Sequence, residues 1–207
     1  MQGDSTVWNN IFKREGTVFG QLHEDMPHLA ETLKQRRACI ILDLGCGTGR
    51  HTLYFSQRGL TVHGLDSAPT GLAQTRQRLQ AANFNAHLLQ HDIFTGLPFG
   101  NTHFDAIISI QVIHHARLAQ IRSLATEMVR ILKPNGLLFV TVPRLQNQGT
   151  SFQSVEPGTL IPLDGREAGL PHHYFTEEEL RHLFPHCTIT DLHLDHDQHY
   201  CLTAVKH

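Results

Sequence analysis

The chain has 207 residues, enough for one domain with a full core. Its 40% hydrophobic and 17% charged residues suit a soluble globular protein, and a formal net charge of −2 gives no general attraction to nucleic acid or to an anionic membrane. No apolar run approaches the length of a membrane-crossing helix, and residues 1–5 lack the apolar core of a signal peptide.

In chain order, residues 6–20 carry Trp8, Phe12 and Phe19 amid polar residues. Residues 22–36 place Leu22, Met26, Leu29, Ala30 and Leu33 on one helical face, so residues 1–37 read as an N-terminal helical cap. Strands and helices then alternate. A strand over about 39–44 leads to a helix over about 49–58, stopped by Gly59. A second strand, about 61–65, precedes a helix opened by Pro69 and ending near Ala82. Strands follow at about 86–90, 104–110 and 137–142. Between the last two, Leu118, Ile121, Ala125, Met128 and Leu132 mark a helix ended by Lys133-Pro134-Asn135-Gly136. Residues 143–171 hold four prolines and read as a long functional loop. Thr176 and Glu179 form a capping box for a helix over about 177–184. Two β-like runs, about 187–194 and 199–205, form a hairpin whose turn, Asp195 to His199, reads as solvated.

The chemistry concentrates at residues 40–49, Ile-Ile-Leu-Asp-Leu-Gly-Cys-Gly-Thr-Gly. An apolar strand ends in Asp43, and Gly45, Gly47 and Gly49 make a turn on which a ligand can lie. Many nucleotide folds use such a turn, but a carboxylate two residues before the first glycine suits an ammonium group and repels a pyrophosphate. The second strand ends in Asp66, 23 residues after Asp43, and can accept two hydrogen bonds from a ribose diol. The third ends in Asp92 with apolar Ile93 beside it.

Asp43-Leu44-Gly45-Cys46-Gly47-Thr48-Gly49 resembles the first motif of the class I S-adenosylmethionine-dependent methyltransferases, and the downstream acids and strands fall in that family's order. The resemblance is close over residues 38–143 and loose elsewhere. It implies an α/β fold: a doubly wound, mostly parallel seven-stranded sheet with helices on both faces and a C-terminal antiparallel hairpin, all in a single methyltransferase domain over 1–207. Residues 38–143 would be the cofactor-binding core, 144–175 a substrate-side loop and 176–207 the closing helix and hairpin. It also implies S-adenosylmethionine as cofactor, held by Asp43, Gly45, Cys46, Gly47, Gly49, Asp66, Ser67, Asp92, Ile93 and Gln111. In the family, the acid and apolar neighbour after the third strand meet the adenine amine and ring.

Candidate catalytic groups lie beyond the strand ends: His114 and His115 after the fourth strand, and His173 after the long loop, because imidazole titrates near neutrality. His172 and Tyr174, with Trp8 and Phe12 as a lid, are candidate substrate-side residues. No metal site is expected despite 17 histidines, because adjacent histidines on a strand point to opposite faces. Four cysteines, at 39, 46, 187 and 201, lack CxxC spacing, which indicates a reducing cytoplasm; Cys39 and Cys46 read as small apolar fillers. The acceptor reads as a small molecule, since net charge disfavours nucleic acid and no Asn/Asp-Pro-Pro-Tyr motif occurs. The rival readings are a nicotinamide-dependent oxidoreductase, which lacks its Tyr-x-x-x-Lys pair here, and a non-catalytic S-adenosylmethionine-binding protein. The layout is similar to that of small bacterial methyltransferases acting on thiols, metalloid oxyanions or quinone precursors. The oligomeric state is not legible.

Overall fold

A computed structural model describes residues 4–144 and 151–207. Helices α1 (Asp4–Glu15) and α2 (Met26–Gln35) precede strand β1 (Ile40–Leu44). There follow α3 (Arg50–Ser56), β2 (Thr61–Asp66), α4 (Pro69–Ala81), β3 (His87–Gln90) and β4 (Phe104–Ile110), then α5 (Leu118–Ile131) and β5 (Leu132–Pro143). The chain continues through three short strands, β6 (Phe152–Glu156), β7 (Thr159–Pro162) and β8 (His172–His173). It closes with α6 (Glu177–Arg181), β9 (Cys187–Leu194) and β10 (His199–Lys206).

Seven strands form one sheet in the order β3-β2-β1-β4-β5-β10-β9. The first five strands in that order run parallel; β10 is antiparallel to both β5 and β9, which is the anticipated hairpin. The alternation of side chains along each strand explains the two helical layers. Ile41, Ala106 and Ile108 point to one face and pack with Met26, Leu29 and Leu33 of α2 and Phe55 of α3. Leu42, Leu44 and Ile107 point to the other and pack with Ile121, Leu124 and Met128 of α5 and with Leu180 of α6. Each buried Leu, Ile, Met or Phe among them contributes about 1.5–3 kcal/mol.

Five expectations need correction. The helical pattern over 22–36 becomes a helix only from Met26, where Pro27 fits its first turn, and His23 is released toward the sheet edge. The stop at 133–136 is absorbed into β5, with Leu132 pairing Phe104, a register shift, and Asn135 at φ 61. The predicted loop over 143–171 contains β6 and β7, which with β8 make a second, three-stranded sheet. The turn before β10 is solvated at His196, Asp197 and Gln198 as expected, but its first residue is not: Asp195 is 5% exposed and accepts the backbone N–H of His199 at 2.8 Å. Cys39 is exposed rather than packed.

Candidate active site

The parallel strands place their carboxyl ends along one edge, and the glycine turn lies there between β1 and α3. The backbone N–H groups of Gly45 and Cys46 donate to the carbonyl of Leu65 at 2.8 and 3.0 Å, which pins the turn to β2. Gly45 has φ +75, and a Cβ there would sit 2.9 Å from Cβ of Val112, an atom that no rotamer change can move. Only glycine fits. At the tip of β2, Asp66 accepts the N–H of Gly47 on Oδ2 and that of Ala68 on Oδ1, each at 2.8 Å. Burial raises its pKa. Each oxygen keeps lone-pair capacity, and the side chain lines a cavity of about 840 Å³.

Gly45, Cys46, Gly47, Asp66, Ser67, Asp92, Ile93 and Gln111 all line this cavity. Asp92 also caps the 3-10 turn Ile93–Thr95, accepting the N–H of Phe94 at 2.9 Å. Gln111 takes φ 58, a strained value for a side-chain-bearing residue, and donates its backbone and side-chain N–H groups to the Thr141 hydroxyl at 3.1 and 3.2 Å. Two sequence candidates lie beneath the cavity and do not line it. Asp43, 2% exposed, accepts the Thr52 hydroxyl at 2.6 Å, and burial pushes its carboxyl up to about 6. It braces the start of α3 under the turn. Gly49, at φ +78, makes room for Thr75. Burial pushes the Cys46 thiol up, so it packs and does not ionise.

The N-terminal segment roofs the cavity. Phe12 is buried, and its ring edge comes within ordinary contact of the site where a Gly47 Cβ would lie, 3.4 Å away. Trp8 packs at a tilt against Phe12 with ring centroids 6.0 Å apart and meets His115 edge-on at 5.1 Å. The wall opposite the glycine turn is built from His114, His115, His172, Tyr174 and Glu167. His114 and His115 sit in the turn after β4, not on a strand, so their rings converge to a 3.8 Å centroid separation. Burial drives the pKa of His114 well below the ordinary histidine value and lowers that of His115.

His173 requires correction as a catalytic candidate. It is fully buried outside the cavity, with Nδ1 2.8 Å from the Thr159 hydroxyl and its ring against Phe175 at 4.6 Å. Its place on β8, opposite in direction to His172 and Tyr174, follows from strand alternation. Sequence reasoning also missed His51, His23, Glu167 and Asp195, all of which line the cavity. His51 follows the glycine turn on α3, and its Nε2 accepts from the His23 backbone at 3.3 Å and the Arg50 guanidinium at 3.2 Å. Its position one residue into the helix was a readable signal. The contribution of His23 and Asp195 was not, because they are joined only by tertiary contact, 3.3 Å between Nε2 and Oδ2.

Residues 41–136 match the family model described as "Methyltransferase domain". An uncharacterised methyltransferase of Synechocystis sp. is 35% identical over 97 residues, covering 47% of this chain and 43% of that protein. The probable tRNA methyltransferase 9B of Homo sapiens is 31% identical over 159 residues, covering 74% of this chain and 32% of that one. The chain thus spans less than half the length of these two relatives. Among solved structures, the magnesium protoporphyrin IX methyltransferase of Synechocystis with bound S-adenosylhomocysteine superposes with a TM-score of 0.71 at 14% identity, over 99% of this chain and 100% of that one, and shares the fold. Residues 41–136 are thus a methyltransferase domain, and the chain has the fold of the class I S-adenosylmethionine-dependent methyltransferases. S-adenosylmethionine is the cofactor of that family.

Proposed function

We propose that this chain transfers the methyl group of S-adenosylmethionine to a small-molecule acceptor held between the glycine turn and the histidine wall. The observation that carries the reading is Asp66. Its two oxygens are fixed by backbone N–H groups at 2.8 Å and the side chain lines the cavity, so the carboxylate can accept both hydroxyls of a vicinal diol. The cofactor, when bound, supplies an activated methyl group on a positively charged sulfur. The chain supplies position. Asp66 binds the ribose, and Ile93 and Asp92 offer an apolar surface and a carboxylate to the base. The side-chain-free backbone of the turn approaches the amino-acid end, with Asp43 bracing it from below.

The acceptor class follows from the enclosure. A cavity of about 840 Å³ is large enough for the nucleoside and one further small molecule. Trp8, Phe12 and the small second sheet, through Phe152 and Pro162, close over it. Orientation within such an enclosure is worth up to ~7–11 kcal/mol of the barrier. His114, His115 and Tyr174 hold the acceptor's nucleophilic atom opposite the methyl group. The net charge of −2 gives no general attraction to RNA.

The test has two arms. Calorimetric titration of S-adenosylhomocysteine measures the cofactor site, and Asp66→Ala abolishes that heat if the reading is right. Incubation with cofactor labelled on the methyl group, against a metabolite extract and separately against total tRNA, reads the acceptor. Label entering a small organic product supports the proposal; label entering only RNA overturns the acceptor class.

A further inference from the structure

The histidine wall contains an arrangement that methyl transfer alone does not explain. One ring nitrogen each from His114, His115 and His172 lies within 4.8 Å of the others, and all three side chains are buried. The tautomers of two of them are set by their surroundings. His115 Nδ1 lies 3.0 Å from the carbonyl of Val112, and His172 Nδ1 lies 3.0 Å from the carbonyl of Leu170. A carbonyl only accepts, so both Nδ1 atoms carry hydrogen and both Nε2 atoms present their second position to the cavity. Those two Nε2 atoms converge on one carboxylate oxygen, Oε2 of Glu167, at 3.9 and 2.8 Å. Two imine lone pairs and an anionic oxygen repel unless a positive charge lies among them. His114, 4% exposed, adds Nδ1 without a hydrogen-bond partner among the described residues.

We propose that His114, His115 and His172, with Glu167, form a binding site for one divalent transition-metal ion of the zinc class on the acceptor side of the cavity. Three neutral imidazoles and one exchangeable carboxylate are the donor set of a zinc site that keeps a position for substrate. The Nδ1–carbonyl bonds are the outer contacts that orient metal-binding histidines. Tetrahedral coordination at about 2.1 Å sets ligand atoms about 3.4 Å apart, so modest closure of the His114 and His115 rings completes the site. The ligand the ion would offer to methyl transfer is an acceptor bearing an anionic oxygen or sulfur. That last step rests on the proposed methyltransferase function; the metal site itself does not.

The test is metal binding without turnover. Metal-stripped protein is titrated with Zn²⁺ against a chromophoric chelator, and with Co²⁺ while following its visible absorption. One equivalent of Zn²⁺ and a tetrahedral Co²⁺ spectrum are expected. His172→Ala and His115→Ala each lower the affinity at least 100-fold, and Glu167→Gln lowers it about 10-fold. His193→Ala, in the separate Asp25, His193 and Cys201 cluster, leaves it unchanged. Circular dichroism and retained S-adenosylhomocysteine binding verify that each variant is folded. Absence of a stoichiometric site, or full affinity retained in folded His172→Ala, overturns the proposal. S-adenosylhomocysteine binding that persists while Zn²⁺ binding fails removes the metal site alone. Zn²⁺ binding that persists without nucleoside binding removes the functional reading alone.

Discussion

Gly47 donates its backbone N–H to Oδ2 of Asp66 at 2.8 Å, so the turn after β1 and the acid at the tip of β2 form one rigid unit. The carboxylate's direction is therefore set before any ligand arrives. Replacing Asp66 by Asn keeps one acceptor oxygen but removes the charge, and one of the two backbone N–H groups loses its partner. Loss of a charge-assisted hydrogen bond costs about 1.5–3 kcal/mol. Affinity for S-adenosylhomocysteine should fall about 10- to 100-fold by calorimetry. An unchanged dissociation constant in folded Asp66→Asn would sink the assignment of this acid to the ribose.

A comparison of two glycines isolates packing from backbone strain. Gly45 and Gly59 both have positive φ, +75 and +82, but a Cβ at Gly59 meets nothing within 4 Å while one at Gly45 is forced against Val112. Gly59→Ala pays only the left-handed conformation, roughly 1–2 kcal/mol. Gly45→Ala adds an overpacking cost of about 1–3 kcal/mol and moves the turn. Chemical denaturation should rank Gly45→Ala as the less stable, and it alone should weaken nucleoside binding. Equal destabilisation would contradict the contact with Val112.

Asp43 gives a signed pH dependence. Its carboxyl is pushed up to about 6 by burial, against 3.8 for the exposed group. Between those values the folded state holds the proton more tightly than the unfolded chain does. Asp43 therefore favours folding fully below pH 3.8, and this advantage is lost as pH rises toward 6, by about 3 kcal/mol in all. Asp43→Asn, which can still accept the Thr52 hydroxyl, removes that slope. The stability of the wild type relative to this variant should decline from about pH 4 to 6 in urea melts. A flat difference would show that Asp43 is not shifted.

Trp8 is the sole tryptophan, so its emission reports on the roof directly. Its ring meets His115 at 5.1 Å. Occupation of the cavity beneath it should change the intensity of this emission in proportion to S-adenosylhomocysteine bound. Trp8→Ala should speed nucleoside release several-fold in stopped-flow displacement, because the roof loses a large aromatic surface. Invariant emission on saturation would place Trp8 outside the closing segment.

The sheet, and the residues that the glycine turn and strand ends bring to the cavity, were legible in the sequence, because both depend on local signals. Apolar runs ending in Asp43, Asp66 and Asp92 specify buried strands, and glycines specify the turn between β1 and α3. The histidine side of the cavity was read less well. His173 and His172 are neighbours in sequence, yet β8 turns one to the cavity and the other to Thr159. The converse holds for His114 and His115, where the chain has left β4 and both rings turn the same way. Glu167 and Asp195 enter the cavity through contacts with residues far along the chain, and no period of two or 3.6 encodes those.

The placement of β10 bears on how the protein matures. This strand lies between β5 and β9, and the turn before it carries Asp195, which holds His23 of the N-terminal segment at 3.3 Å. During synthesis the parallel part of the sheet, with the glycine turn at its edge, can assemble as soon as β5 has emerged. The N-terminal roof gains this anchor only once Asp195 has left the ribosome. A nascent chain halted short of that point would present a pocket that is open on one side.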